Sequence, residues 1–216
     1  NFNDKWKITT QGSYLNYEQE GMSLWPGGFD PANDAILKRA GNNWDILGKI
    51  YVGQAYVNGQ AQTGSVSHKI LGGLDMSDKT YYHDWSQYFT LPDLDIYNPV
   101  HGIPSSPKFD RSKDIEDRGV KYYNNYKGFY VQDELGFLDN DLRLTLAGRY
   151  TVLKASNAYA PSTTNEKFTP RIGLSYSIDK NTSAYFVRDE SFTENYGTDW
   201  QEKSFDPQTG TNLELG

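Results

Sequence analysis

The sequence predicts an all-β chain: an antiparallel transmembrane β-barrel of about eight up-and-down strands, with short turns on one side of the membrane and long loops on the other. Three observations carry this reading. Apolar and polar residues alternate over long stretches, with arginines held to one face. Tight turns alternate with long connections. Aromatic residues reach 15%, with 17 Tyr, 10 Phe and 5 Trp among 216 residues.

Composition narrows the class further. Hydrophobic residues make up 37% and mean hydropathy is -0.74, so no run approaches the ~20 apolar residues of a membrane-spanning helix. A membrane barrel gives the same polar average, because only alternate strand residues meet lipid and the loops are hydrophilic. Aromatic rings suit the two bilayer interfaces, though a carbohydrate-binding sandwich is rich in Tyr and Trp as well. The absence of Cys removes disulfides, thiolate metal sites and thiol nucleophiles together. A net charge of -7 and a pI near 5.0 argue against nucleic acid as a partner, since that binding rests on clustered Lys and Arg.

In chain order, the first strand is expected at about 5–17, where Trp6, Ile8, Thr10, Gly12 and Tyr14 share a face. A long connection follows at 18–43. It holds a candidate helix, with Asp30 as N-cap, Pro31 in the first position, Lys38 and Arg39 in the last turn and Gly41 as its stop. Strands at 44–58 and 67–77 carry apolar residues on both faces, which leaves their register open; Gln62-Thr63-Gly64-Ser65 turns the chain between them. The longest connection, 78–125, leads to a strand at 126–137 and a tight turn at Leu138-Asp139-Asn140-Asp141.

The clearest strand is 142–154: Leu142, Leu144, Leu146, Gly148 and Tyr150 lie on one side, Arg143, Thr145, Ala147, Arg149 and Thr151 on the other. An Arg at the bilayer midplane costs about 2–4 kcal/mol, so the arginine face belongs to a watery lumen and the leucines to lipid. After a connection at 156–167, the strand at 168–178 repeats the polarity with Ile172, Leu174 and Tyr176 against Arg171, Gly173 and Ser175. Asp179-Lys180-Asn181-Thr182 turns into a strand at 183–192, a connection at 193–209 follows, and the last strand begins near 210.

Several of these segments resemble TonB-dependent siderophore receptors. Tyr130-Val131-Gln132-Asp133, then Leu142 to Tyr150 ending in Gly148-Arg149-Tyr150, are similar to two successive strands of that family. Phe168-Thr169-Pro170-Arg171-Ile172-Gly173-Leu174, Glu190-Ser191-Phe192 and the run from Phe205 to Gly216 follow in the family's order. His68-Lys69-Ile70-Leu71-Gly72-Gly73-Leu74-Asp75 and Tyr97-Asn98-Pro99-Val100 also look related, so the likeness covers about residues 68–216. Arg188 departs from it, because the family usually has a neutral residue there.

The resemblance implies that residues 1–216 are part of a larger barrel of about 22 strands that closes around an N-terminal plug. On that expectation, the plug, a signal peptide and the final strands lie outside this stretch. It also implies import of a ferric siderophore across the bacterial outer membrane, with the TonB complex as partner through the missing N-terminal part and outer-membrane lipid around the barrel. No cofactor is expected: the cargo is an iron chelate whose coordination sphere the siderophore already fills.

Ligand contacts are expected on long extracellular loops, at Tyr82, Trp85 and Tyr88 and, after Phe192, at Tyr196 and Trp200. Such rings stack on planar chelates but equally form girdles or pack loops. Arg143, Arg149 and Arg171 are expected to meet plug carboxylates. Enzyme signals are poor: His68, His83 and His101 lack metal-ligand spacing, and the Asp93 and Asp95 pair lacks the EF-hand pattern. Two other classes compete, a self-contained eight-stranded outer-membrane barrel with a structural or adhesive role and a soluble carbohydrate-binding sandwich. Closure of the first strand on the last would favour the small barrel.

Overall fold

A computed structural model describes residues 3–100, 102, 105, 107–158, 160–195 and 197–216. Its strands are β1 (Trp6–Asp30), β2 (Asn33–Thr63), β3 (Val66–Thr90), β4 (Leu94–Asp95), β5 (Val120–Phe137), β6 (Leu142–Asn157), β7 (Ala160–Ser177), β8 (Ser183–Thr193) and β9 (Gln208–Leu215). One short helix, α1 (Ile115–Arg118), precedes β5. The long strands pair in sequence order, β1-β2-β3-β5-β6-β7-β8-β9, and the two-residue β4 adds beside β2. Among the described residues β1 and β9 are the outer members of this order and do not pair, so these strands do not close a small barrel of their own.

Three expectations about connections are corrected. The helix proposed at Asp30 to Gly41 is not formed: β1 runs to Asp30, Pro31 and Ala32 turn the chain, and β2 starts at Asn33. Asp30 does cap a backbone N–H, that of Ala32 at 2.9 Å, but in a hairpin. The connections 18–43 and 156–167 are mostly strand as well, and β3 runs to Thr90, well past residue 77. The physical reason is common to all three. Where water meets both faces of a strand, the apolar-polar alternation that marks a strand is no longer required, while the backbone ladder continues.

The turns at the opposite ends fall where the sequence puts them. Gly64 has φ +61°, and Leu138, Asp139 and Asn140 all take left-handed φ values of 51°, 55° and 73°. Asp179 accepts the Asn181 N–H at 2.8 Å.

The chain divides into two compact units. The first comprises Asn1–Tyr14, Ile50–Lys79 and Tyr123–Gly216. Its register confirms the two faces. Leu142 lies opposite Tyr176, Leu144 opposite Leu174 and Leu146 opposite Ile172, so these six residues share one face; Arg143, Ala147 and Arg149 stand opposite Ser175, Arg171 and Thr169 on the other. A one-residue slip would exchange the faces.

The apolar face remains open: Leu146, Ile172 and Leu174 are each 44% exposed and Phe129 and Phe168 more so. An uncovered apolar sheet face of this extent marks an interaction surface, for membrane or for protein. Aromatic rings bound it at two levels. Phe137 and Tyr176 flank Leu142, while Phe129 and Phe168 flank Tyr150. Those rows are eight residues apart, and at about 3.4 Å per residue on a strand tilted by about 40° they are separated by about 21 Å, close to the height of a bilayer's apolar band. Tyr14 and Tyr51 add a stacked pair, with centroids 4.6 Å apart.

On the wet face Arg149 and Arg143 find partners within the sheet. Arg149 donates two hydrogen bonds to Asp75, both 2.7 Å, and one to the Thr151 hydroxyl at 2.9 Å. Gly128 makes this possible: a Cβ there would stand 2.1 Å from the guanidinium. Arg143 reaches the Ser175 and Ser177 hydroxyls. Arg188 faces the apolar side, opposite Ile172 and Leu213, and meets Glu190 at 2.7 Å.

Candidate ligand-binding site

The second unit comprises Leu15–Lys49 and Thr80–Tyr122. It holds residues 15–30 of β1, 33–49 of β2 and 80–90 of β3, and the connection 91–119. The described residues of that connection are strapped down at several points. Leu91 N–H donates to the Arg39 carbonyl and Ile96 N–H to that of Ala35, which places β4 beside β2. Lys38 bridges Asp30 and Asp93, and Asp95 caps the N–H groups of Tyr97 and Asn98. Asp93 and Asp95 thus act as loop braces.

The strap closes on a buried charge cluster. Arg118 donates to Asp45 and to Asp84, each at 2.5 Å, and Arg111 forms a fork to Asp45 at 2.9 and 2.7 Å. Both guanidinium groups lie over the ring of Phe109, at 4.7 and 5.0 Å from its centroid. Asp45, Asp84, Phe109 and Tyr82 are all buried. Nothing in the sequence pattern announced this cluster, because its members are separated by up to 73 residues.

Burial works to raise the Asp84 carboxyl, but hydrogen bonds from Ser86 and the Arg118 charge outweigh it and hold its pKa below the ordinary 3.8. A carboxyl lowered on folding contributes stability above its unfolded pKa and loses it as pH falls through the folded value. Hydrogen exchange of residues 107–119 should therefore stay constant from neutral pH to about pH 5, after correction for intrinsic rates, and accelerate below about pH 4. Acceleration already near pH 6 would show that Asp84 does not govern the strap.

Alternation along β3 sends Asp84 toward the strap and its neighbours His83 and Trp85 to the opposite face. There four rings assemble. His83 stacks on Tyr81 at 6.0 Å and meets Trp85 and Tyr122 at 5.2 Å each, and Tyr122 also packs edge-on to Tyr81. Burial pushes the His83 pKa below its ordinary value, so the ring is neutral at neutral pH, and its Nε2 is enclosed with no hydrogen-bond partner among the described residues. Burial likewise raises the Tyr81 hydroxyl's pKa.

The five expected contact residues are thus placed differently from one another. Trp85 is half exposed at the edge of the ring cluster. Tyr82 is buried on the strap side, with Lys121 over its ring at 5.7 Å, and Tyr88 shares that parity but is open to solvent. Trp200 is 88% exposed beside a small bridge between Thr198 and Ser204, in the first unit. Tyr196 lies outside the described residues.

The family model for TonB dependent receptor-like β-barrels matches residues 1–216, the whole chain. The chain belongs to that family. Its members' barrels lie in the outer membrane of Gram-negative bacteria, so the open apolar face is a lipid face.

Among relatives, the ferrioxamine B receptor of Salmonella typhimurium (strain SL1344) is 23% identical over 220 residues, covering 100% of this chain and 30% of the relative. The ferrichrome outer membrane transporter/phage receptor of Escherichia coli (strain K12) is 30% identical over 165 residues, covering 71% of this chain and 21% of the relative. This TonB-dependent receptor barrel segment therefore spans about a third or less of the relatives it matches.

Two solved structures show the same fold. The ferripyoverdine receptor of Pseudomonas aeruginosa aligns with TM-score 0.75 and 20% identity over 98% of this chain and 28% of the other. The ferric preacinetobactin receptor of Acinetobacter baumannii aligns with TM-score 0.71 and 18% identity over 99% and 32%.

Proposed function

We propose that this segment is part of the barrel of a receptor that imports a ferric siderophore across the outer membrane, with energy delivered by the TonB complex through a part of the protein outside these residues. The relatives named above are receptors or transporters for ferrioxamine B and ferrichrome, both iron chelates. The observation that carries the reading in this chain is the wall of Tyr81, His83, Trp85 and Tyr122. It is backed by a strap pinned to the other side of the strand, which leaves the ring side free for a ligand.

A siderophore suits such a wall. It presents planar and aliphatic surface around iron that is already fully coordinated, so the protein needs ring faces and hydrogen-bond donors in place of metal ligands. Trp85 is the proposed direct contact. Tyr88 and Trp200 offer further exposed rings to an arriving chelate, Tyr196 belongs to the same connection as Trp200, and Tyr82 supports the strand from behind. The role is transport, with no chemical conversion of the cargo.

Trp85→Ala should weaken binding of the preferred ferric chelate about five- to a hundredfold, the equivalent of about 1–3 kcal/mol for one stacked and buried ring. Titration of the intact receptor by quenching of intrinsic Trp fluorescence reads the affinity, and heat-modifiable gel mobility confirms the folded barrel. Unchanged affinity in the folded variant would remove Trp85 from the site.

A further inference from the structure

We propose that the lipid face of β5 to β8 docks a second copy of the receptor, with Asp133 of each copy pairing with Arg188 of the other. Register places these two residues at opposite ends of one row across that face: Asp133 lies opposite Leu146, Leu146 opposite Ile172, and Ile172 opposite Arg188. All four belong to the first unit. Three strand spacings of about 4.8 Å separate the ends of the row by about 14 Å, too far for Asp133 and Arg188 to meet within one chain.

Height makes lipid a poor surrounding for both. The row stands above that of Leu142, Tyr176 and Ala184. At about 3.4 Å per residue and a tilt of about 40°, the rise is about 10 Å, near the middle of an apolar band about 25 Å tall, where charge facing lipid is strongly disfavoured. Each residue has one local partner: Arg188 donates to Glu190 at 2.7 Å through one terminal nitrogen, and Asp133 Oδ2 pairs with His68 Nδ1 at 2.7 Å. Neither partner covers its residue, since the Arg188 and Asp133 side chains remain 42% and 32% exposed. Asp133 Oδ1 is enclosed without a hydrogen-bond partner among the described residues, so the exposure falls on the side of Oδ2, which has capacity for a second donor. The guanidinium has further N–H groups to give.

The order of charges along the row selects a second copy as the occupant. Two copies inserted in the same direction are related by a twofold axis along the membrane normal, which keeps the height of every residue and reverses the lateral order of the row. With that axis between Leu146 and Ile172, Asp133 of one copy faces Arg188 of the other at equal height, twice over, and the two apolar residues close the centre. Like charges at the two ends would repel across the same axis. Docking takes both charged residues out of lipid and leaves the local bond from Arg188 to Glu190 in place. The inference rests on the outer-membrane placement of the barrel and is independent of which cargo the receptor carries.

Cross-linking of the intact receptor in native outer membranes tests it. This stretch contains no Cys, so Leu146→Cys, with Ile172→Cys as a second position, introduces a single thiol near the axis once any Cys outside these residues is replaced. Treated with a short bismaleimide, each should give a product of twice the receptor's mass, and Thr145→Cys on the opposite face should give none. Adding Arg188→Leu with Glu190→Gln, which removes charge from the lipid side without leaving an unpaired acid there, should lower the cross-linked fraction about tenfold, as should Asp133→Asn. Heat-modifiable gel mobility confirms that each variant is folded. Absence of a dimer-sized product from the folded Cys variants overturns the docking surface, and a product of any other mass overturns a second copy as its occupant. Undiminished cross-linking in either folded neutral variant overturns the pairing of Asp133 with Arg188.

Discussion

Arg118→Ala should release the strap of residues 91–119 and cost about 3–5 kcal/mol, because it leaves two carboxylates without their shared cation in a site closed to water. The side chains of Asp45 and Asp84 are only 7% and 5% exposed, and that of Arg118 is 14% exposed, so solvent screens little of the loss. Arg111 retains Asp45, which makes Asp84 the orphan. Limited proteolysis and hydrogen exchange of the folded receptor should show residues 107–119 cut and exchanging while β5 to β8 remain protected. Arg118→Lys should recover only part of the protection, since a single ammonium does not reach both carboxylates with the geometry of a planar fork. Protection unchanged in Arg118→Ala would mean that Phe109 and the backbone ties alone hold the strap.

Leu146→Arg is expected to be the most damaging single change on the sheet, at about 2–4 kcal/mol, whereas Thr145→Arg should be nearly neutral. The two positions are adjacent and differ only in the face they occupy: Leu146 stands opposite Ile172 on the lipid side, and Thr145 stands opposite Glu134 and Gly173 on the wet side. Leu146 is four residues above Leu142, about 10 Å by the same rise, and so lies near the middle of the apolar band. Urea unfolding of the intact receptor from lipid vesicles measures both. A larger loss for Thr145→Arg would reverse the assignment of the faces.

The faces of β6 and β7 were readable because each strand carries a cost that only one orientation avoids, two arginines in β6 and one in β7 against rows of Leu, Ile and Tyr. The three tight turns were readable for a similar reason, since Gly64, Asn140 and Asp179 supply left-handed backbone or local side-chain bonds that few other residues supply. The lengths of β1, β2, β3 and β7 were not readable. Outside the membrane no environment punishes a polar residue on either face, so Glu18, Gln19 and Glu20 continue a strand whose pattern has gone silent. At Asp30 the local chemistry pointed the wrong way: an Asp-Pro start fits a helix or a hairpin turn equally, and pairing with β1 decided for the hairpin.

At the candidate site, ring density in 81–89 drew attention to the right segment, but not to which rings share a face. The side chains of Tyr82 and Asp84 are turned under a strap whose anchor residues, Phe109, Arg111 and Arg118, come more than 20 positions later. His83 looked unremarkable as a metal ligand; it is the packing of Tyr81, Trp85 and Tyr122 around it that makes it the centre of the cluster. At Arg149 the sequence pattern gave no sign of a partner within the sheet, which Asp75, two strands away in the sheet order, supplies.

The most direct test of the central claim is radioiron accumulation in cells whose only outer-membrane route for ferric chelates is the intact receptor, supplied with a panel of iron-loaded hydroxamate and catecholate siderophores. At least one chelate should bind the cell surface with or without TonB, and it should enter the cell only when TonB is present. Accumulation of every chelate at the level of receptor-free cells, or entry that persists without TonB, would contradict the account.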